Sequence, residues 1–136
     1  MGNGTRRYAA LVERLVESVL VGPGRAASEL RRGALARAAR LGGRDPADQS
    51  RDGVPAPLAD YVDKVALHAY KVTDEDLVAL KRAGNSDDVL FEVTVSAALG
   101  AAVGRLERGL GALRGEASSP PDPLSTTWRG GTQDER

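Results

Sequence analysis

The sequence predicts an all-α protein of about five helices. Apolar residues recur at spacings of three and four along five separate segments, which is the period of a helix with one buried face. Glycine, proline or a capping residue marks the ends of these segments. The length of 136 residues fits one domain, which we expect to occupy residues 1–115. The apolar residues are mostly Ala, Leu and Val, so we expect close contacts between helices.

The first two predicted helices are separated by a sharp turn. An apolar stripe defines the first helix, and the turn Gly22-Pro23-Gly24 ends it. The stripe consists of Tyr8, Leu11, Val12, Leu15 and Val19. The second helix is expected to begin near Ser28 as N-cap, to place Leu30, Ala34, Ala38 and Leu41 inward, and to end at Gly42-Gly43.

Residues 42–57 contain turn-forming residues and no apolar period, so they predict a flexible loop of about 15 residues. Loops of that length are uncommon in small domains. Either the loop is functional, or it marks the position where an ancestral element was lost.

The third and fourth helices follow that loop. The third starts after Pro57, and its inward positions are Leu58, Tyr61, Val62, Val65 and Ala69. The fourth has the best-defined start in the chain, because Thr73 as N-cap and Asp76 three residues later form a variant of the capping box. Leu77 and Leu80 face the core, and Gly84 stands where a helix end needs a left-handed residue.

The fifth helix is capped by Ser86 and can continue to about Arg114. It is apolar on nearly all sides, which indicates burial on most faces. A small monomer covers such a helix poorly, so the pattern predicts a homo-oligomer. The small residues Ala97, Gly100, Ala101 and Gly104 would let another helix approach closely.

From Glu116 onward the chain is rich in Pro, Ser, Thr and Gly without an apolar period, so residues 116–136 predict a disordered tail. Trp128 is the one tryptophan of the chain and lies in this tail. It either anchors a protein partner through a groove on that partner, or folds back onto its own domain.

Composition excludes several classes of function. The 19 basic and 19 acidic residues balance, which argues against a general nucleic-acid binder. The charged residues of 1–51 are mainly basic and those of 52–92 mainly acidic. This pattern suits ion pairs within the chain or between subunits, and two oppositely charged faces that are both exposed to solvent would give the same pattern. The absence of cysteine excludes disulfides, thiolate metal sites and thiol catalysis, and one histidine makes a metal or haem site improbable. We therefore expect no metal and no cofactor.

The sequence also predicts a cytoplasmic protein with no membrane association. No run of around 18 apolar residues occurs, so we expect no helix that spans a bilayer. The first residues contain two arginines, but no apolar segment and no cleavage site of a secretory signal follow them.

The region from Leu58 to Leu113 resembles the C-terminal helical part of the alkylhydroperoxidase D-like, or carboxymuconolactone decarboxylase-like, superfamily. The resemblance is carried by V-T-D-E-D from Val72, by A-G-N-S-D-D from Ala83, and by the long small-residue helix that bears Arg105. It implies a helical bundle and an oligomer that is a trimer or a multiple of one. The peroxidase branch of the superfamily uses a Cys-x-x-Cys pair, which nothing around residues 42–57 matches, so a thiol peroxidase is excluded. Glu92 and Arg105 match residues of the family's last helix and serve there as structural markers.

Two functions remain open, together with partner binding by the tail. The first is a non-catalytic oligomeric scaffold or partner-binding protein. The second is a cofactor-independent acid/base enzyme of the decarboxylase or isomerase kind, acting on a small carboxylate. In such an enzyme His68 would be the general base, Arg105 or an arginine of the second helix would bind the carboxylate, and Glu92 would share the site. Convergence of these three residues on one cavity would favour the enzyme, and dispersal would favour the scaffold.

Overall fold

A computed structural model describes residues 2–44 and 52–115 of the chain, and within these ranges the protein is all-α. Its five α-helices, with a short 3-10 turn at Ala69–Lys71, confirm the predicted fold class. The helices are α1 Gly2–Val21, α2 Ser28–Gly42, α3 Ala56–His68, α4 Asp74–Arg82 and α5 Asp87–Leu113. The predicted tail 116–136 and residues 45–51 of the predicted loop lie outside the described residues.

The core is built around α5, which contacts α1, α2 and α3. Its most extensive contact is with α2, where two glycines allow the helix backbones to touch. A Cβ atom at Gly100 would collide with the carbonyl oxygen of Leu35, and one at Gly104 with that of Ala39. The small residues of α5 thus do admit a second helix, as predicted, but that helix is α2 of the same chain.

The other side of the core is formed by α3 and α4. Val62 of α3 and Val93 of α5 are fully buried, and Leu80 of α4 packs against them. The Tyr61 hydroxyl lies 2.6 Å from Oγ1 of Thr94, which joins α3 to α5 through a buried polar contact. The predicted inward positions of α3 are confirmed except for Ala69, which is exposed in the 3-10 turn that follows the helix.

Most of the predicted helix ends are confirmed. Thr73 and Asp76 form the complete capping box of α4, and Ser86 accepts a hydrogen bond from the amide of Val89 at the start of α5. Gly84 has a φ of 104°, as the end of α4 requires. The prediction for Ser28 was wrong: Ala27 occupies the N-cap, and the Ser28 hydroxyl instead donates to the carbonyl of Leu20.

Arginines of α2 pair with acidic residues of the mainly acidic segment 52–92, so pairing within the chain, one of the alternatives that the charge pattern left open, is present. Arg37 donates to Asp63 of α3 at 2.8 Å and to Asp52 at 3.1 Å, and Arg40 also donates to Asp52, at 2.9 Å. These bonds hold the chain before α3 against α2. Burial alone would raise the pKa of Asp52, but the amide of Val54 and the guanidinium of Arg37 outweigh it and lower the pKa.

Candidate functional site

His68 is the last residue of α3, and its side chain is exposed. The imidazole meets the ring of Tyr70 edge-on, with 6.0 Å between the ring centres. Asp63 of the same helix binds Arg37, and Asp76 of α4 accepts a hydrogen bond from Lys64. The structure therefore gives His68 neither a buried packing position nor a carboxylate partner among the interactions it describes.

Because His68 is exposed, His68→Gln should change the free energy of unfolding by less than about 0.5 kcal/mol. Urea unfolding of the two proteins at pH 7.5 measures the difference. A loss above about 1 kcal/mol would show that the imidazole has a structural role that this geometry lacks.

Arg105 secures the end of α3. Its Nη2 donates to the carbonyl oxygen of Ala66 at 2.6 Å, in the last turn of that helix. A cation at this end of a helix both satisfies an unpaired carbonyl and complements the helix dipole. Arg105 thus has a structural position, in agreement with its interpretation as a structural marker.

Glu92 binds the connection between α1 and α2. Its two carboxylate oxygens accept from the amides of Arg25 and Ala26, at 2.8 and 2.6 Å. The amide of Arg25 has the largest effect on the pKa of Glu92, and together with the amide of Ala26 it outweighs burial and lowers that pKa. The carboxylate is thus held by the backbone of the α1–α2 connection rather than by an arginine side chain.

Arg31 is a buried charged residue that the sequence analysis missed. Its Nη1 donates to the carbonyls of Val19 and Gly22, both at 2.8 Å, and so secures the end of α1. Its Nε is buried without a hydrogen-bond partner. Two features of the sequence are consistent with this position. Arg31 adjoins the apolar stripe of α2, one position after Leu30, and α1 ends without a basic residue in its last turn that could bind its carbonyls.

The three residues of the hypothetical enzyme site do not converge. Glu92 and Arg105 are thirteen residues apart on α5, which separates them by roughly 20 Å along the helix axis. Glu92 binds the α1–α2 connection, and Arg105 binds the far end of α3, close in sequence to His68. Among the described residues no group of three potential metal ligands comes together either. This arrangement lacks the shared pocket that acid/base catalysis requires.

Exposed apolar side chains form a surface along α1 and α5. On α1, Tyr8 is 68% exposed, Leu11 49% and Leu15 52%, although the sequence predicted that their stripe faces the core. On α5, Phe91 is 70% exposed and Leu106 43%. We call this surface the α1–α5 face. Its residues are Tyr8, Leu11, Leu15 and Val19 of α1, and Phe91, Val95, Ala98, Leu99, Ala102 and Leu106 of α5.

The two helices form one continuous surface, because cavities at both ends of the face are lined by both of them. One cavity, of about 180 Å³, lies between Val19 of α1 and Phe91 and Val95 of α5. The other, of about 370 Å³, lies between Tyr8 of α1 and Leu106 of α5. α1 therefore runs antiparallel to α5 along the full length of the face.

One prediction about α5 was wrong. By length and composition the helix is apolar enough to cross a membrane, whereas the sequence analysis expected no such helix. In the fold, 44% of its most apolar stretch is buried. The core helix of a soluble protein passes the same test, so this property by itself is weak support for a membrane span.

Trp128, the predicted partner-binding residue, lies outside the described residues. The chain matches no family model, no curated protein and no solved structure with which it was compared. Function must therefore be inferred from the described residues, of which the α1–α5 face is the most informative set.

Proposed function

We propose that this chain is a homo-oligomeric helical scaffold or partner-binding protein of the alkylhydroperoxidase D-like, or carboxymuconolactone decarboxylase-like, kind. It acts in the cytoplasm without a metal or cofactor, and it is not a thiol peroxidase because it has no cysteine. The α1–α5 face is the observation that supports this proposal. Copies of the chain assemble through this face.

The size of the face supports assembly. At roughly 200 Å² for a fully exposed large side chain, its five most exposed members present about 550 Å² of surface. The largest apolar patch on a typical monomer covers about 300–600 Å², and a standard interface buries about 800 Å² on each partner. Val19, Val95, Ala98, Leu99 and Ala102 add further apolar area to the same face. The total reaches the range of a specific protein–protein contact.

The placement of the polar residues supports a non-catalytic role. Glu92, Arg31 and Arg105 each bind backbone groups at the ends of helices, where their charges stabilise the fold. His68 is exposed and distant from Glu92 along the fold. Since no shared pocket unites these side chains, the scaffold explains them better than the acid/base enzyme does.

Assembly should be abolished by a charge in the middle of the face. Ala98 is exposed there, and Ala98→Glu would place a carboxylate in an apolar contact, at a cost of several kcal/mol per buried unpaired charge. Multi-angle light scattering of the full chain between 1 and 100 µM should show an oligomer for the natural sequence and a monomer for Ala98→Glu.

Val78→Glu is the matched control, because Val78 is 44% exposed on α4, away from the face. This variant should keep the oligomer. A natural chain that remains monomeric over the whole concentration range would overturn the proposal. An Ala98→Glu variant that assembles as well as Val78→Glu would show that assembly uses a different surface.

A further inference from the structure

The α1–α5 face has a projecting side chain at one end and the larger of its two cavities at the other, where Glu13, Glu107 and Arg114 line the space together with apolar side chains. Phe91 is 70% exposed near the start of α5. The cavity of about 370 Å³ lies fifteen residues further along, where Tyr8 and Val12 of α1 approach Leu106 and Leu110. Along the helix axis, Phe91 and Leu106 are roughly 22 Å apart.

We infer that a second copy of this chain covers the face in an antiparallel twofold pair, in which Phe91 of each copy fills the cavity of the other. This inference rests on the proposed function and specifies its contact. In a twofold interface each residue contact occurs twice, with the roles of the two copies exchanged. Phe91 of the first copy therefore enters the cavity of the second, and Phe91 of the second enters the cavity of the first. A parallel pair would instead place the two Phe91 side chains against each other and leave both cavities unfilled.

The charges of α5 favour the same direction. Its first turns contain three acids, Asp87, Asp88 and Glu92, of which Asp87 pairs with Lys81 and Asp88 with Arg25 in the same chain, and residues 93–104 contain no charged side chain. Beyond them, Arg105, Arg108 and Arg114 outnumber Glu107. An antiparallel pair brings the acidic end of each α5 towards the basic end of the other, whereas a parallel pair opposes like charges. The dipoles of the two α5 helices also point in opposite directions in the antiparallel pair, which is the favourable arrangement.

The middle of the face suits the position of the twofold axis. Ala98 and Ala102 are exposed there, between the larger side chains at each end. Small side chains allow two helices to approach closely, so the Phe91 residues at the ends can enter the cavities while the helices touch at the centre. The pair then resembles a four-helix arrangement of two α1 and two α5 helices.

A lipid surface explains this face less well. Helices that lie on membranes usually present lysine and arginine around the apolar side, which attract anionic lipids. Here Asp87, Asp88 and Glu92 border one end of the face, and the formal net charge of the chain is zero. A second copy of the chain fits this border of acidic and basic residues better, because the acidic end of each α5 lies next to the basic end of the other.

Single-cysteine variants of the full chain can test this geometry, because the natural sequence contains no cysteine to interfere. Ala98→Cys, near the axis, should form a disulfide-linked dimer under mild oxidation, since a disulfide requires Cα atoms about 4.4–6.8 Å apart. Phe91→Cys alone should not link. When Phe91→Cys and Leu106→Cys proteins are mixed, a cross-linked dimer of one chain of each kind should appear.

The contribution of Phe91 is measured separately. Phe91→Ala should raise the dissociation constant of the pair at least about 30-fold, because a buried aromatic anchor is a typical hot spot and the pair contains two of them. Val78→Ala, at an exposed position outside the face, should leave the dissociation constant unchanged. Circular dichroism of each variant establishes that the helices are intact.

The outcomes separate this inference from the proposed function. An oligomer in which Phe91→Cys links efficiently to itself is parallel, and it would overturn the inference while leaving the scaffold in place. An odd number of chains would do the same, because twofold pairs give even assemblies such as a dimer or a hexamer. A monomer that floats with phosphatidylserine-containing vesicles would overturn both and would assign the face to lipid.

Discussion

Gly104→Ala should lower the free energy of unfolding by about 3 kcal/mol, because the added methyl group meets the backbone of Ala39 in α2. The Cβ atom would collide with the carbonyl oxygen of Ala39, which belongs to the hydrogen-bonded backbone of α2 and cannot rotate away as a side chain would. The helices must separate, and the loss extends along the α2–α5 contact. Urea unfolding at a fixed chain concentration measures the effect.

Gly109→Ala is the matched control, since it makes the same substitution in the same helix. Nothing lies within 4 Å of a Cβ atom at Gly109, so alanine should stabilise the helix by about 0.5–1 kcal/mol through its better helix propensity. Opposite signs for the two variants are the expected result. Equal stabilisation by both would contradict the close contact between α2 and α5.

The protein should lose stability steadily as the pH falls from about 5 to about 2. The pKa values of Asp52, Asp76, Glu92 and Glu107 are all lowered in the folded chain. In this range the unfolded chain binds protons that the folded chain does not, so stability is full above the ordinary carboxyl pKa and declines as pH falls through the lowered values.

Glu92→Gln isolates one of these contributions. The amide side chain offers one oxygen where the carboxylate offered two, so it cannot accept from the amides of both Arg25 and Ala26. The variant should be less stable by about 1–2 kcal/mol at pH 7 and should approach the natural chain near pH 2. Glu17→Gln, on the exposed side of α1, should show neither change. A constant difference between the natural and Glu92→Gln chains at every pH would contradict the proposed role of the carboxylate.

The sequence predicted the fold from features that act locally. The capping box at Thr73 and the cap at Ser86 were identified because each depends on residues within one turn of a helix. The inward positions of α3 followed from helical spacing in the same way. Ser28 failed because a serine before a helix has alternative acceptors, and here the carbonyl of Leu20 competes successfully for its hydroxyl.

The candidate site was less predictable because it depends on contacts between distant segments. The spacing of the apolar residues in α1 predicts a buried face. That spacing does not reveal whether the residues that bury this face belong to the same chain or to another one. The small residues of α5 indicated a close helix contact, but not that α2 would provide it. The buried position of Arg31 arises from carbonyls that the end of α1 leaves unpaired, and the place of Arg31 beside the apolar stripe of α2 does not reveal that those carbonyls will lie next to it.

The central position of α5 has a consequence for the order in which the chain acquires its structure. α1, α2 and α3 all pack against α5, yet α5 is the last of the five helices to be synthesised. While the ribosome is still translating residues 87–113, the earlier helices lack the helix that completes their core, and part of their apolar surface remains accessible to chaperones. The core is therefore complete only when α5 has been synthesised, and the same event presents the α1–α5 face to a second finished chain.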